Sequence, residues 1–232
     1  MNQHDLMVSV LTAAGGEPIE DHAAPSYTGK IADILFPAAD VIVEVKSLTT
    51  DRAASSETSN AVGEMFSRHT HLGAPVIFGT VTVNLHELPP AIAMNTLRIA
   101  GKRVLSEAKA ANAQLKATKV ALGRPEAMGL LALITPPFRL DRRSIVALVG
   151  DAMRDNRCRS IDQLLLVETP LAAPEPYRRG GNSFISFHSR PDGERHLPQH
   201  LVEALGRAWG KITGQPAGHA DEEDYHRFGA TS

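Results

Sequence analysis

KIADILFPAADVIVEVKSL, residues 30–48, is the stretch from which the fold is read. The runs 30–36 and 40–48 are dense in β-branched and large apolar residues, with Pro37-Ala38-Ala39-Asp40 at their junction. That pattern predicts two strands joined by a tight connection. Both runs are apolar on both faces, which marks strands inside a covered sheet. Three charged residues interrupt them: Asp33, Glu44 and Lys46. A buried charge is costly unless it is paired or holds a metal. Strand alternation puts Glu44 and Lys46 on one face. With the turn centred between Ala38 and Ala39, Asp33 lies directly opposite Glu44, their Cβ atoms roughly 5 Å apart. Two carboxylates that close repel, and a divalent cation relieves the repulsion. The plainer reading is an ion-pair ladder across a hairpin, and the apolar neighbours Ile34, Leu35, Val41 and Val43 count against it.

Outward from the hairpin, strand and helix patterns alternate. Residues 4–14 read as a helix ended by Gly15-Gly16, and 17–29 as a loop. Residues 51–71 are helical in pattern, 74–85 (APVIFGTVTVNL) strand-like, and 91–121 one or two helices after Pro89-Pro90. GLLALITPPF (129–138) is a buried strand stopped by prolines. Asp141 is an N-cap for a helix whose stripe is Ile145, Leu148, Val149 and Ala152. Residues 160–168 form a further strand, 182–188 an edge strand after a Pro-rich linker at 170–176, and 197–212 a final amphipathic helix. The order predicts an α/β sandwich with a central mixed sheet flanked by helices. Three parts are expected: a core over 1–170, an edge strand and helix packed on it over 171–213, and a mobile acidic tail over 214–232.

Composition narrows the classes. The chain has 232 residues, 43% of them hydrophobic, enough for one sizeable domain. Its net charge of −2 excludes a protein coated in positive charge, so nucleic acid must be met by a local patch. A single cysteine, Cys158, rules out an intrachain disulfide and a Cys-based zinc site. No run approaches the ~18 apolar residues of a membrane span, and the opening residues read as a helix rather than a signal peptide. A cytoplasmic protein is expected. There is no nucleophile elbow, P-loop or dinucleotide-binding glycine pattern.

The pattern Asp33, ten residues, then Glu44-Val45-Lys46 resembles the PD-(D/E)XK nuclease superfamily, with Ala32 where the nominal proline would precede the Asp. The resemblance implies a restriction-endonuclease-like fold and a nuclease that hydrolyses DNA or RNA phosphodiesters. It implies that Asp33, Glu44 and the main-chain carbonyl of Val45 bind Mg²⁺ or Mn²⁺, and that Lys46 orients the attacking water. Gln114 resembles the Gln that some branches place on the helix beside the site, although Thr118 stands where those branches carry Tyr. The leading helix of the family often adds an acid, for which Glu17 and Glu20 are candidates.

Residues 101–124 hold six basic residues against one acid, Glu107. Lys102, Lys109 and Lys116 recur every seven residues and share a helix face, with Lys119 one turn on. Lys109, Lys116 and Lys119 are therefore candidate nucleic-acid contacts, the plainer alternative being a solvated face. The alternative function is a non-catalytic nucleic-acid-binding or assembly module of the same fold in a defence or repair complex. The edge near 182–188 offers a surface for a homodimer.

Overall fold

The computed structural model describes residues 2–22, 29–77, 79, 83–138, 140–172, 182–191 and 193–215. In chain order the elements are α1 (Gln3–Ala13), β1 (Glu17–Pro18), β2 (Ile34–Phe36), β3 (Val41–Ser47), α2 (Ser56–Arg68), α3 (Pro90–Ala100) and α4 (Lys102–Ala121). They continue with β4 (Met128–Thr135), α5 (Arg142–Arg154), β5 (Gln163–Glu168), β6 (Phe184–Ser189) and α6 (Gln199–Thr213). The six strands form one mixed sheet in sequence order. β2 runs antiparallel between β1 and β3; β3, β4 and β5 run parallel, and β6 closes the far edge antiparallel to β5. The fold class is α/β, as expected.

Helices cover both faces of the sheet. Val104, Ala111 and Leu115 of α4 and Ile145, Leu148 and Val149 of α5 pack on Ile42, Leu131, Leu133, Leu164 and Leu166. Leu6, Val10 and Leu11 of α1 and Leu201, Leu205 and Trp209 of α6 pack on Val43, Val45, Leu130, Ala132 and Leu165. β4 is buried at all of its positions because it has a strand on each side and a helix layer on each face. Local chemistry sets the helix boundaries. Asp141 caps α5 as predicted, its Oδ1 accepting from the Ser144 N–H at 2.8 Å. The run 91–121 becomes two helices at Gly101, where a Cβ would lie 2.0 Å from Leu148 Cδ1. Close packing of α5 thus requires glycine at the break.

Two expectations change. Residues 74–77, 79, 83 and 84 form no strand, and Leu85–Glu87 is a 3₁₀ turn; residues 78 and 80–82 of that segment lie outside the described residues. Its apolar side chains find a different partner: Ala74, Ile77 and Val83 join Met65, Phe66 and Ile92 in a satellite cluster on α2 and α3. Burial of these side chains against α2 and α3 outweighs the segment's strand propensity. The first hairpin strand is also shorter than 30–36, since only Ile34–Phe36 stay in the ladder. The linker from 173 onward and the acidic run Asp221–Asp224 lie outside the described residues. Among the described residues no helix is long and apolar enough to cross a membrane.

Candidate metal and phosphate site

The hairpin register is the one the turn predicts: Phe36 pairs with Val41, Leu35 with Ile42, and Ile34 with Val43. Asp40 closes the turn with φ +50, a left-handed conformation that Asp tolerates better than most residues. The ladder does not extend to a direct Asp33–Glu44 pair. The Asp33 N–H donates to the Val43 carbonyl at 3.0 Å, so the chain is one residue out of step there. The Asp33 Oδ2 instead accepts from the Val45 N–H at 2.7 Å, one position beyond Glu44. Alternate peptide groups of a strand face the same edge, so the Val45 carbonyl projects to the side that Asp33 occupies.

Glu44 and Lys46 share the α4 face with Ile42, since the intervening Val43 and Val45 belong to the layer under α1 and α6. Glu44 is only 1% exposed. Its Oε1 lies 2.6 Å from the Lys46 Nζ, and its buried Oε2 has no hydrogen-bond partner. Burial first, and then the Asp33 charge, push the Glu44 carboxyl up to about 8, against the pull of Lys46. The two acids are thus electrostatic neighbours across the hairpin, and in the cation-free chain one of them favours its proton at neutral pH.

α4 completes the site. The Lys46 Nζ donates to Gln114 Oε1 at 2.8 Å, and Gln114 Nε2 donates to the Ile31 carbonyl at 3.2 Å. One turn on, Thr118 Oγ1 accepts the Ala32 N–H and donates to the Gln114 carbonyl, both at 2.8 Å. The helix is therefore stitched to the segment that presents Asp33, and Gln114 holds the ammonium between itself and Glu44. Thr118, the apparent departure from the Gln-to-Tyr spacing, does this stitching.

The structure separates other residues from the site. Glu17 pairs with His22 at 2.7 Å, and Glu20 is exposed next to Ile19, whose N–H donates to the Asp33 carbonyl at 3.1 Å. The first turn of α1 contributes His4 instead, whose Nε2 lies 3.2 Å from Asp33 Oδ1. Sequence reading missed His4 because the contact spans 29 positions and has no periodic signature. Lys109 and Lys116 are exposed, but Lys116 lies about 200° around the helix from Gln114 at 100° per residue. The basic stripe thus faces away from the hairpin acids. Lys119 is committed to Asp162 at 3.4 Å, and Asp162 also accepts the Gly129 N–H at 2.8 Å.

Among the described residues, no three His, Cys, Asp or Glu side chains converge to enclose a cation. Two carboxylates and a carbonyl make a hard, oxygen-only partial set. That fits Mg²⁺ or Mn²⁺, which commonly keep waters and take one or two protein carboxylates beside substrate phosphate. Comparison with protein-family models, with curated proteins and with solved structures finds no match for this chain.

Proposed function

We propose that the chain is a divalent-metal-dependent nuclease of the PD-(D/E)XK type, hydrolysing phosphodiester bonds of DNA or RNA. The observation that carries this reading is the Glu44 carboxylate: buried, with one oxygen on Lys46 and no donor for the other, against the Asp33 carboxylate, with which it can share only a proton or a cation. A group of that kind costs free energy unless something fills the gap, and a cation held with Asp33 would do so. The topology adds support. A leading helix, three strands each antiparallel to the next with Asp33 just before the second and Glu44 on the third, then α2–α4 and a strand parallel to the third, resembles the order expected of a restriction-endonuclease-like core.

Asp33, Glu44 and the Val45 carbonyl would hold Mg²⁺ or Mn²⁺. When bound, such an ion polarises a phosphoryl oxygen and lowers the pKa of coordinated water. Lys46, fixed by Gln114, presents an ammonium beside the acids, where it orients the attacking water and offsets charge growing on the phosphate. Asp33 is itself held by the Val45 N–H and by His4, so its carboxylate is oriented before substrate arrives.

The test is a cleavage panel of single- and double-stranded DNA and RNA with Mn²⁺, run beside Asp33→Ala and Lys46→Ala. Wild type should cleave at least one substrate, lose activity in EDTA, and yield 5′-phosphate products. Each variant should lose roughly 10³-fold or more, with far-UV dichroism unchanged. Equal cleavage by the variants rejects the assignment.

A further inference from the structure

Six residues after Lys46, the chain leaving β3 makes a 3₁₀ turn, Arg52–Ala54, and then enters α2. That turn, the start of α2 and the start of α4 enclose a cavity of about 160 Å³. Its lining includes three cations, Arg52, Lys102 and Arg103, with the hydroxyls of Ser55 and Ser106 and a single acid, Glu57. Arg103 pairs with Glu107 at 2.5 Å. Arg52 and Lys102 are exposed, and neither side chain has a partner among the described residues. The Ser55 hydroxyl is spent on Thr58 as the cap of α2, which leaves two unpaired cations beside the Ser106 hydroxyl as a receptor for a tetrahedral oxyanion.

The cavity lies in line with the hairpin acids. α4 runs antiparallel to β3, because Arg124 meets Asp40 at the start of β3 and Gln114 meets Lys46 near its end. The helix start therefore projects beyond the C-terminal end of β3, on the side where Glu44 and Lys46 open. Arg103 precedes Gln114 by eleven positions, which brings it to within about 20° of the same face, about 16 Å along the axis, and Lys102 stands about 120° round the helix from Gln114 at the cavity's outer side. At the ~3.4 Å rise of one strand in a stacked duplex, that distance spans about five nucleotides, and fewer if the strand is stretched.

We propose that this cavity binds a backbone phosphate of the nucleic-acid substrate, a few nucleotides from the scissile bond. The proposal rests on the nuclease reading above for its substrate class. Lys102 begins the outward face that Lys109 and Lys116 continue, but only Lys102 joins Arg52 in the cavity, so the main cationic contact falls there rather than on the other two lysines.

Binding is measured in EDTA, so that nothing is cleaved, with fluorescein-labelled 16-mers of single- and double-stranded DNA and RNA. Arg52→Ala/Lys102→Ala is compared with wild type and with Lys109→Ala/Lys116→Ala, all side chains removed being exposed. For a 16-mer that wild type binds, the cavity double variant should lose about tenfold in affinity. Its slope of log affinity on log salt should fall by about 0.7 if the 16-mer is single-stranded, or about 0.9 if double-stranded, the loss of one neutralised phosphate. The stripe variant should bind as wild type does. Equal binding by the cavity variant, the larger loss in the stripe variant, or no binding of any 16-mer by wild type overturns the proposal. Binding that depends on the cavity without Lys46-dependent cleavage keeps the cavity and rejects the nuclease. Cleavage with binding indifferent to Arg52 and Lys102 does the reverse.

Discussion

Glu44→Gln should stabilise the cation-free protein, by an amount that grows with pH. The Glu44 carboxyl titrates at about 8 in the folded chain against 4.5 ordinarily. Below pH 4.5 it is protonated in both folded and unfolded chains, and its ionisation costs nothing. Between 4.5 and 8 the unfolded chain releases the proton while the folded chain keeps it, so stability falls as pH rises through that window and levels off above it. At 1.36 kcal/mol for each pH unit between the two titrations, the full window corresponds to about 4–5 kcal/mol. Gln fills the same space without an ionisable proton, and the value of about 8 already contains the pull of Lys46, so a net gain of about 4 kcal/mol is expected at pH 8.5. The gain should vanish near pH 5. The sole tryptophan, Trp209, is 1% exposed between α6 and α1 and reports unfolding in urea. With Mn²⁺ in place of EDTA, wild type should recover about 2.7 kcal/mol at a hundredfold excess over its dissociation constant, and Glu44→Gln much less. Wild type equal to or more stable than Glu44→Gln at pH 8.5 in EDTA would refute the reasoning. So would Mn²⁺ stabilising both proteins alike.

Two further substitutions probe the frame around the acids. Gln114→Ala removes the acceptor that holds the Lys46 Nζ and should lower kcat roughly 10–100-fold with little change in KM; an unchanged kcat in steady-state kinetics would show that Lys46 is positioned without it. Gly129→Ala would place a Cβ 1.8 Å from the Ser160 carbonyl oxygen, in backbone that cannot retreat, and should cost about 3 kcal/mol or more. A urea midpoint within error of wild type would contradict the close approach of β4 to the start of β5.

The hairpin was legible because local patterns encode it. Two runs apolar on both faces and a turn centred in a four-residue junction place the ladder from Ile34–Val43 to Phe36–Val41, and alternation alone puts Glu44 beside Lys46 on one face. Asp141 capping α5 and the Ile145–Leu148–Val149–Ala152 stripe are equally local. Other features depend on which surfaces meet. Strand propensity over 74–85 gave no strand among its described residues, because α2 and α3 take up the apolar side chains of Ala74, Ile77 and Val83. Spacing by seven correctly gathered Lys102, Lys109 and Lys116 on one face of α4, but not which face; packing of Ala111, Leu115 and Thr118 on the sheet turned that stripe outward. His4 reaches Asp33, and Arg52 faces Lys102, only because α1 crosses the hairpin and α4 overshoots β3. Such contacts join residues tens of positions apart, and a sequence pattern carries periodicity along one element but not the docking of one element on another.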